Sequence, residues 1–105
     1  MQQRHAFRMR LKPGAEAEYQ RRHDEIWPEL AQAHRDAGIS DYSIFLDPET
    51  RFLFAVQKRE HDHQADRLGD LDVVRRWSAH MGDLMETGPD GSPRVWPLQE
   101  VFRLG

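Results

Sequence analysis

The sequence predicts an α+β fold of element order βαββαβ, an antiparallel sheet carrying both helices on one face. Three observations predict it: a period-two apolar run near the N-terminus, two stretches of helical spacing, and two adjacent strand-like runs between them. A chain of 105 residues suits one domain, residues 1–105, that buries about two-thirds of its unfolded surface.

In the first strand His5, Phe7, Met9 and Leu11 alternate with Ala6, Arg8 and Arg10, and Pro13-Gly14 ends it. Residues 15–37 are helical in composition, with Tyr19, Ile26, Leu30, Ala33 and Ala37 on one stripe and Gly38 as a C-terminal stop. Pro28 lacks an N–H and disfavours helical geometry in its predecessor, which predicts a kink or break near Trp27. DYSIFLD and RFLFAVQKRE then read as a hairpin turning at Pro48, Glu49 and Thr50. Residues 61–69 are polar and ambiguous. Val73, Val74, Trp77, Met81, Leu84 and Met85 follow helical spacing, predicting a second helix that ends near Glu86. Three prolines, two glycines and an Asp-Gly step mark residues 87–97 as a loop, and LQEVFRL is expected to be the last strand. The order is that of a ferredoxin-like split βαβ fold.

With both helices on one face, the other face of the sheet must be solvated, filled or covered. The strand 51–60 has Phe52, Phe54 and Val56 on one side and Leu53 and Ala55 on the other. A central strand apolar on both sides predicts a face-to-face homodimer.

Composition excludes several classes. Hydrophobic residues at 38% and charged residues at 31% make a polar chain, yet five phenylalanines, three tryptophans and two tyrosines argue for a real core. The net charge is −3, and the mostly basic run from Arg4 to Lys12 alternates with apolar residues as a strand face does, so nucleic acid is not an expected partner. Absence of cysteine excludes disulfides, thiolate metal sites and cysteine nucleophiles. The N-terminus shows neither a signal-peptide stretch nor a membrane span, and the expected location is the cytoplasm.

Tyr19, His23 and Trp27 stand four residues apart in YQRRHDEIWPEL, so on one helix an imidazole lies between two aromatic rings. Imidazole exchanges protons near neutrality and aromatic faces suit the C–H groups of a small ligand. The same three residues also fit a core stripe with a satisfied histidine, and spacing leaves both readings open.

YQRRHDEIWPEL, DYSIFLD followed by FLFA, RRW in the second helix, and PDGSP with LQEVF together resemble the L-rhamnose mutarotase family, over nearly the whole chain. The resemblance implies a cytoplasmic homodimer of ferredoxin-like subunits, a dimeric α/β barrel, that interconverts the α and β anomers of L-rhamnose with no metal or organic cofactor. It implies His23 as the catalytic acid and Tyr19, Tyr42 and Trp77 in the sugar site. Family members commonly carry two adjacent tryptophans where this chain has Trp77-Ser78, which leaves Ser78 in a substrate-binding position and one aromatic wall missing. Trp96, in the loop before the last strand, is a candidate to replace it. Two further readings change the ligand: L-fucose or another deoxy sugar, or a noncatalytic ligand- or haem-binding dimer with His23 as a sensor contact or axial ligand.

Other polar groups carry less. His61, Asp62 and His63 lack a third neutral ligand nearby and are expected to be solvated, so no metal is assigned. Asp24 and Glu25 point away from His23 on a helix and read as an exposed face. His34 and His80 have no motif around them, and Gly69 and Gly82 form no phosphate-binding pattern.

Overall fold

The computed structural model describes residues 3–105. Four antiparallel strands form one sheet in the order β2-β3-β1-β4, with β1 at Gln3–Arg10, β2 at Ile39–Leu46, β3 at Phe52–Arg59 and β4 at Trp96–Pro97. Three α-helices, α1 at Glu16–Asp24, α2 at Pro28–Asp36 and α3 at Asp72–Met81, cover one face. The predicted order and layering are those observed, with the first helix divided in two.

That division lies where Pro28 places it. Trp27 is extended (φ −64°, ψ 125°), and Pro28 is the first residue of α2, where its missing N–H costs nothing because no carbonyl stands one turn before it. Gly38 follows α2 at φ +86°, and a Cβ there would come 3.2 Å from the His63 backbone. Only glycine meets both conditions, which makes it the stop that the sequence suggests. The hairpin between β2 and β3 turns where expected: the Asp47 carboxylate accepts the Glu49 N–H (3.1 Å) and the Thr50 hydroxyl (2.8 Å).

The core lies between sheet and helices. Leu53 and Ala55 of β3 are buried opposite Met9 and Phe7 of β1, and Leu11, Tyr19, Met81, Leu84 and Met85 complete the cluster. Gln57 continues the buried side of β3, and its carbonyl accepts a hydrogen bond from the Arg59 guanidinium (2.7 Å). The alternate residues Phe52, Phe54 and Val56 face the side without helices, as the alternation requires. There the Arg8 guanidinium lies 4.4 Å from the centre of the Phe52 ring and 5.4 Å from that of Trp96.

Two expectations are corrected. α3 ends at Met81 in a tight 3-10 turn, Gly82–Leu84, and does not run to Glu86. Lys12 N–H donates to Leu84 C=O and Glu86 N–H to Arg10 C=O, so this segment is drawn out of the helix to pair beside the end of β1. Nor is LQEVFRL the last strand. β4 is the dipeptide Trp96–Pro97 against Phe7 and Arg8, and after Leu98 N–H donates to Ala6 C=O the chain leaves the sheet.

Leu53 is 2% exposed at the centre of the cluster. Leu53→Ala is expected to cost about 2–5 kcal/mol, the usual range for a leucine truncated in a packed core. A urea midpoint unchanged from the parent's would show that this site collapses around the smaller side chain.

Candidate active site

Between the helices and the sheet lies a cavity of about 1150 Å³. Tyr19, His23, Tyr42, Trp77 and Ser78 all line it, brought together from α1, β2 and α3. All five side chains that the sequence singles out for the site therefore face one space.

His23 is clamped within its own helix. Its Nδ1 lies 3.1 Å from the Tyr19 carbonyl oxygen, one turn earlier. A carbonyl only accepts, so Nδ1 carries the hydrogen and Nε2 keeps the lone pair. The Tyr19 ring lies beside the imidazole at 4.3 Å between centroids, and Trp77 meets it edge-on at 5.4 Å. Burial against these rings lowers the pKa of His23, while the Tyr19 carbonyl and Asp24 oppose the shift. The imidazole is thus neutral and basic at physiological pH.

Both phenols shift in the direction opposite to the imidazole. Burial pushes Tyr19 up, and it pushes Tyr42 up to about 12. Both remain hydroxyl donors at neutral pH. Tyr42 keeps 39% of its surface open, which includes the cavity wall it forms.

Trp27 is not in the cavity lining, although the four-residue spacing aligned it with Tyr19 and His23. The break before Pro28 takes it out of that stripe, to pack edge-on against Trp77 (5.1 Å), beside His80 (5.5 Å) and under the Arg76 guanidinium. Trp77 occupies the place beside His23 that an unbroken helix would have given Trp27. Trp96 does not replace a second site tryptophan either. It packs on Phe52 (5.8 Å) on the opposite face of the sheet, and β-strand alternation at the β1 edge puts it there. The wall at Ser78 therefore has no aromatic substitute from that loop.

His34 was not legible as a site residue, yet it lines the cavity beside Tyr42, 5.8 Å between ring centres. Its Nδ1 lies 2.9 Å from the Leu30 carbonyl, the same clamp as in His23. The signal available was helical spacing within α2, since Leu30 and His34 share one face. Nothing in the sequence marks Arg22 either. It is 13% exposed, donates to Glu18 (2.7 Å), to the His80 carbonyl (2.6 Å) and to Asp83 (2.9 Å), and so ties the helix bearing His23 to the end of the helix bearing Trp77 and Ser78. Asp24 and Glu25 are exposed, as expected, and Glu25 pairs with Arg21. Among the described residues no group of three or more acidic or histidine side chains converges as a metal site, and the His63 ring accepts the Ala65 N–H (3.2 Å).

A basic nitrogen, phenol donors and an indole edge around one cavity suit proton transfer on a small hydroxylated ligand. The family model described as L-rhamnose mutarotase matches residues 4–104. The chain belongs to the L-rhamnose mutarotase family. The L-rhamnose mutarotase of Burkholderia orbicola (strain MC0-3) is 61% identical over 99 residues, 94% of this chain and 95% of that protein. That of Jannaschia sp. (strain CCS1) is 54% identical over 102 residues, 97% of this chain and 98% of that protein. The crystal structure of L-rhamnose mutarotase from Formosa agariphila superposes with a TM-score of 0.89 at 45% identity, covering 98% of this chain and 99% of that one. A solved Mycobacterium tuberculosis protein shares the fold alone, with a TM-score of 0.62 at 12% identity over all of both chains.

Because Tyr19 and Tyr42 are the only tyrosines, Tyr19→Phe leaves one phenol to titrate. Its ultraviolet titration is expected to have a midpoint at about 12. A midpoint near the ordinary ~10 would mean that solvent reaches the Tyr42 hydroxyl freely.

Proposed function

We propose that this chain, working as a single domain, interconverts the α and β anomers of L-rhamnose by opening and reclosing the sugar ring. The observation that carries the proposal is the Nδ1 of His23 held 3.1 Å from the Tyr19 carbonyl, which leaves the Nε2 lone pair available, in a cavity bounded by Tyr19 and Trp77. Close relatives named L-rhamnose mutarotase support the choice of sugar, and favour it over the L-fucose and haem readings.

In the proposed reaction His23 Nε2 takes the proton of the anomeric hydroxyl while the bond from C1 to the ring oxygen breaks. C1 becomes an aldehyde carbon. A hydroxyl donor in the cavity, Tyr42 or water, delivers a proton to the departing ring oxygen. Rotation about C1–C2 then presents the other carbonyl face. On reclosure the ring hydroxyl adds to C1, its proton returns to the donor, and protonated His23 gives its proton to the new anomeric oxygen. His23 thus opens the ring as a base and acts as the acid only on reclosure, where the family resemblance implied an acid, because burial favours the neutral imidazole at the start, and no covalent bond to the protein is needed. Trp77 offers an apolar edge to the C–H groups of the sugar, and Tyr19 a hydroxyl and the carbonyl that orients the imidazole.

Subunit assembly is part of the same proposal: a homodimer formed through the sheet face that carries Phe52, Phe54 and Val56, with the 62%-exposed Phe45 beside them. A cytoplasmic location goes with it, since a cysteine-free chain draws no stability from an oxidising compartment.

Saturation-transfer NMR of the anomeric protons of L-rhamnose tests the reaction. His23→Ala, with its fold checked by circular dichroism, is expected to slow exchange by ~10²–10⁴-fold. Near-parental exchange would remove His23 from the role. Because burial lowers the His23 pKa, the basic form persists further into acid than that of free imidazole. The parent rate should stay level from neutrality past ~6.5 and fall only below it. A fall centred above ~6.5 would contradict the assignment of Nε2 as the base. Sedimentation at micromolar concentration should give twice the chain mass of 12.4 kDa, and an active monomer would contradict the dimer.

A further inference from the structure

One histidine of the cavity takes no part in the proposed ring opening. His34 belongs to α2, is half-buried, and holds its Nδ1 2.9 Å from the Leu30 carbonyl oxygen. A carbonyl only accepts, so Nδ1 carries the hydrogen, and in the neutral ring Nε2 keeps a lone pair turned away from the helix backbone. His34 lines the cavity, and among the described residues its Nε2 takes no hydrogen bond.

The backbone of β2 puts Tyr42 beside it. Ile39 and Tyr42 both line the cavity, although strict alternation would send an odd and an even position of one strand to opposite faces. One extra residue between Ser40 and Ser43 resolves this, with Asp41 at φ +46°, a left-handed conformation that aspartate tolerates better than most residues. The Tyr42 ring then stands 5.8 Å from that of His34, and 6.4 Å from that of Phe7 across β3. Tyr19 is near enough that its pKa, raised first by burial, is raised further by Tyr42. The polar groups therefore run His23, Tyr19, Tyr42, His34 along the cavity from α1 to α2. From α3 come Val74, Trp77 and Met81, an apolar wall.

The pyranose ring of L-rhamnose presents its groups in a matching order. Going from the anomeric hydroxyl past the ring oxygen, the next carbon, C5, carries the methyl group, and the next hydroxyl is the one on C4. With His23 at the anomeric hydroxyl and Tyr42 at the ring oxygen, the group beyond Tyr42 meets that C4 hydroxyl. We propose that His34 reads the C4 hydroxyl of the sugar, its Nε2 accepting the hydroxyl hydrogen. The proposal rests on the mutarotase reading above and deepens it, since it makes His34 a specificity-determining residue. A site built to pair with a hydroxyl discriminates against a ligand that lacks it or directs it elsewhere. The C4 epimer, 6-deoxy-L-talose, turns this hydroxyl to the other face of the ring and loses the contact.

Anomer exchange of L-rhamnose, 4-deoxy-L-rhamnose and 6-deoxy-L-talose tests the assignment. The parent is expected to favour L-rhamnose over the 4-deoxy sugar by about three- to tenfold in kcat/KM, the range of one uncharged hydrogen bond, and to do so mainly through KM. In His34→Leu, its fold checked by circular dichroism, the preferences over both other sugars are expected to disappear. His34→Gln, whose amide oxygen also accepts, should restore part of them. A role in holding the helix alone would lower the rates for all three sugars together and leave their ratios as in the parent, and that result would overturn the proposal. Should His34→Leu fail to fold, heteronuclear NMR of the parent decides. The His34 Nε2 signal should move on saturation with L-rhamnose and hold its place with the 4-deoxy sugar, and an equal response to both would overturn the assignment. A parent that leaves L-rhamnose exchanging at its spontaneous rate would remove the mutarotase reading and this proposal together. An active parent whose sugar ratios survive in His34→Leu would remove the role of His34 alone.

Discussion

The missing N–H of Pro28 is the constraint on which the site depends. It fixes Trp27 in an extended conformation and divides one amphipathic run into two helices. Had the helix continued, Trp27 would have stacked on the His23 face one turn further along. Instead the indole packs on α3, and the edge of Trp77 meets the imidazole. His23 therefore draws its aromatic neighbours from two helices, held in relation by the Arg22 contacts to the end of α3.

Stability and chemistry share the same layer. Met9, Leu11, Tyr19, Leu53, Met81 and Met85 belong both to the packed core and to the cavity wall. The low-dielectric surroundings that follow from this lower the His23 pKa and raise those of the two tyrosines. Burial thus sets a neutral imidazole beside two hydroxyls that keep their protons. The charged residues on the cavity rim, Glu16, Arg35 and Asp41 among them, belong to surfaces where water screens them.

The sheet has a second side, and β3 places aromatic side chains on it. β3 alternates Leu53 and Ala55 inward with Phe52 and Phe54 outward, and guanidinium groups from Arg8 and Arg10 lie over the Phe52 ring. An arginine over an aromatic ring masks part of it while remaining compatible with either water or a second subunit.

Local chemistry made much of the structure legible. Alternation gave β1 and β3, the Pro28 and Gly38 signals gave the break and the stop, and the residues shared with the L-rhamnose mutarotases pointed to Tyr19, His23, Tyr42, Trp77 and Ser78, which meet in one cavity. Periodicity also gave false continuity. Leu84 and Met85 keep helical spacing, yet backbone bonds to Lys12 and Arg10 take that segment out of α3. LQEVFRL keeps strand character, yet past Leu98 no backbone hydrogen bond ties it to β1 among the described residues. His34 beside Tyr42, and Trp96 on the far face, depended on which elements come together in space. Sequence fixes what each segment favours within a turn or a strand length, because those preferences are set by neighbours along the chain. Which preference is realised depends on partners distant in sequence, and only the tertiary structure supplies them.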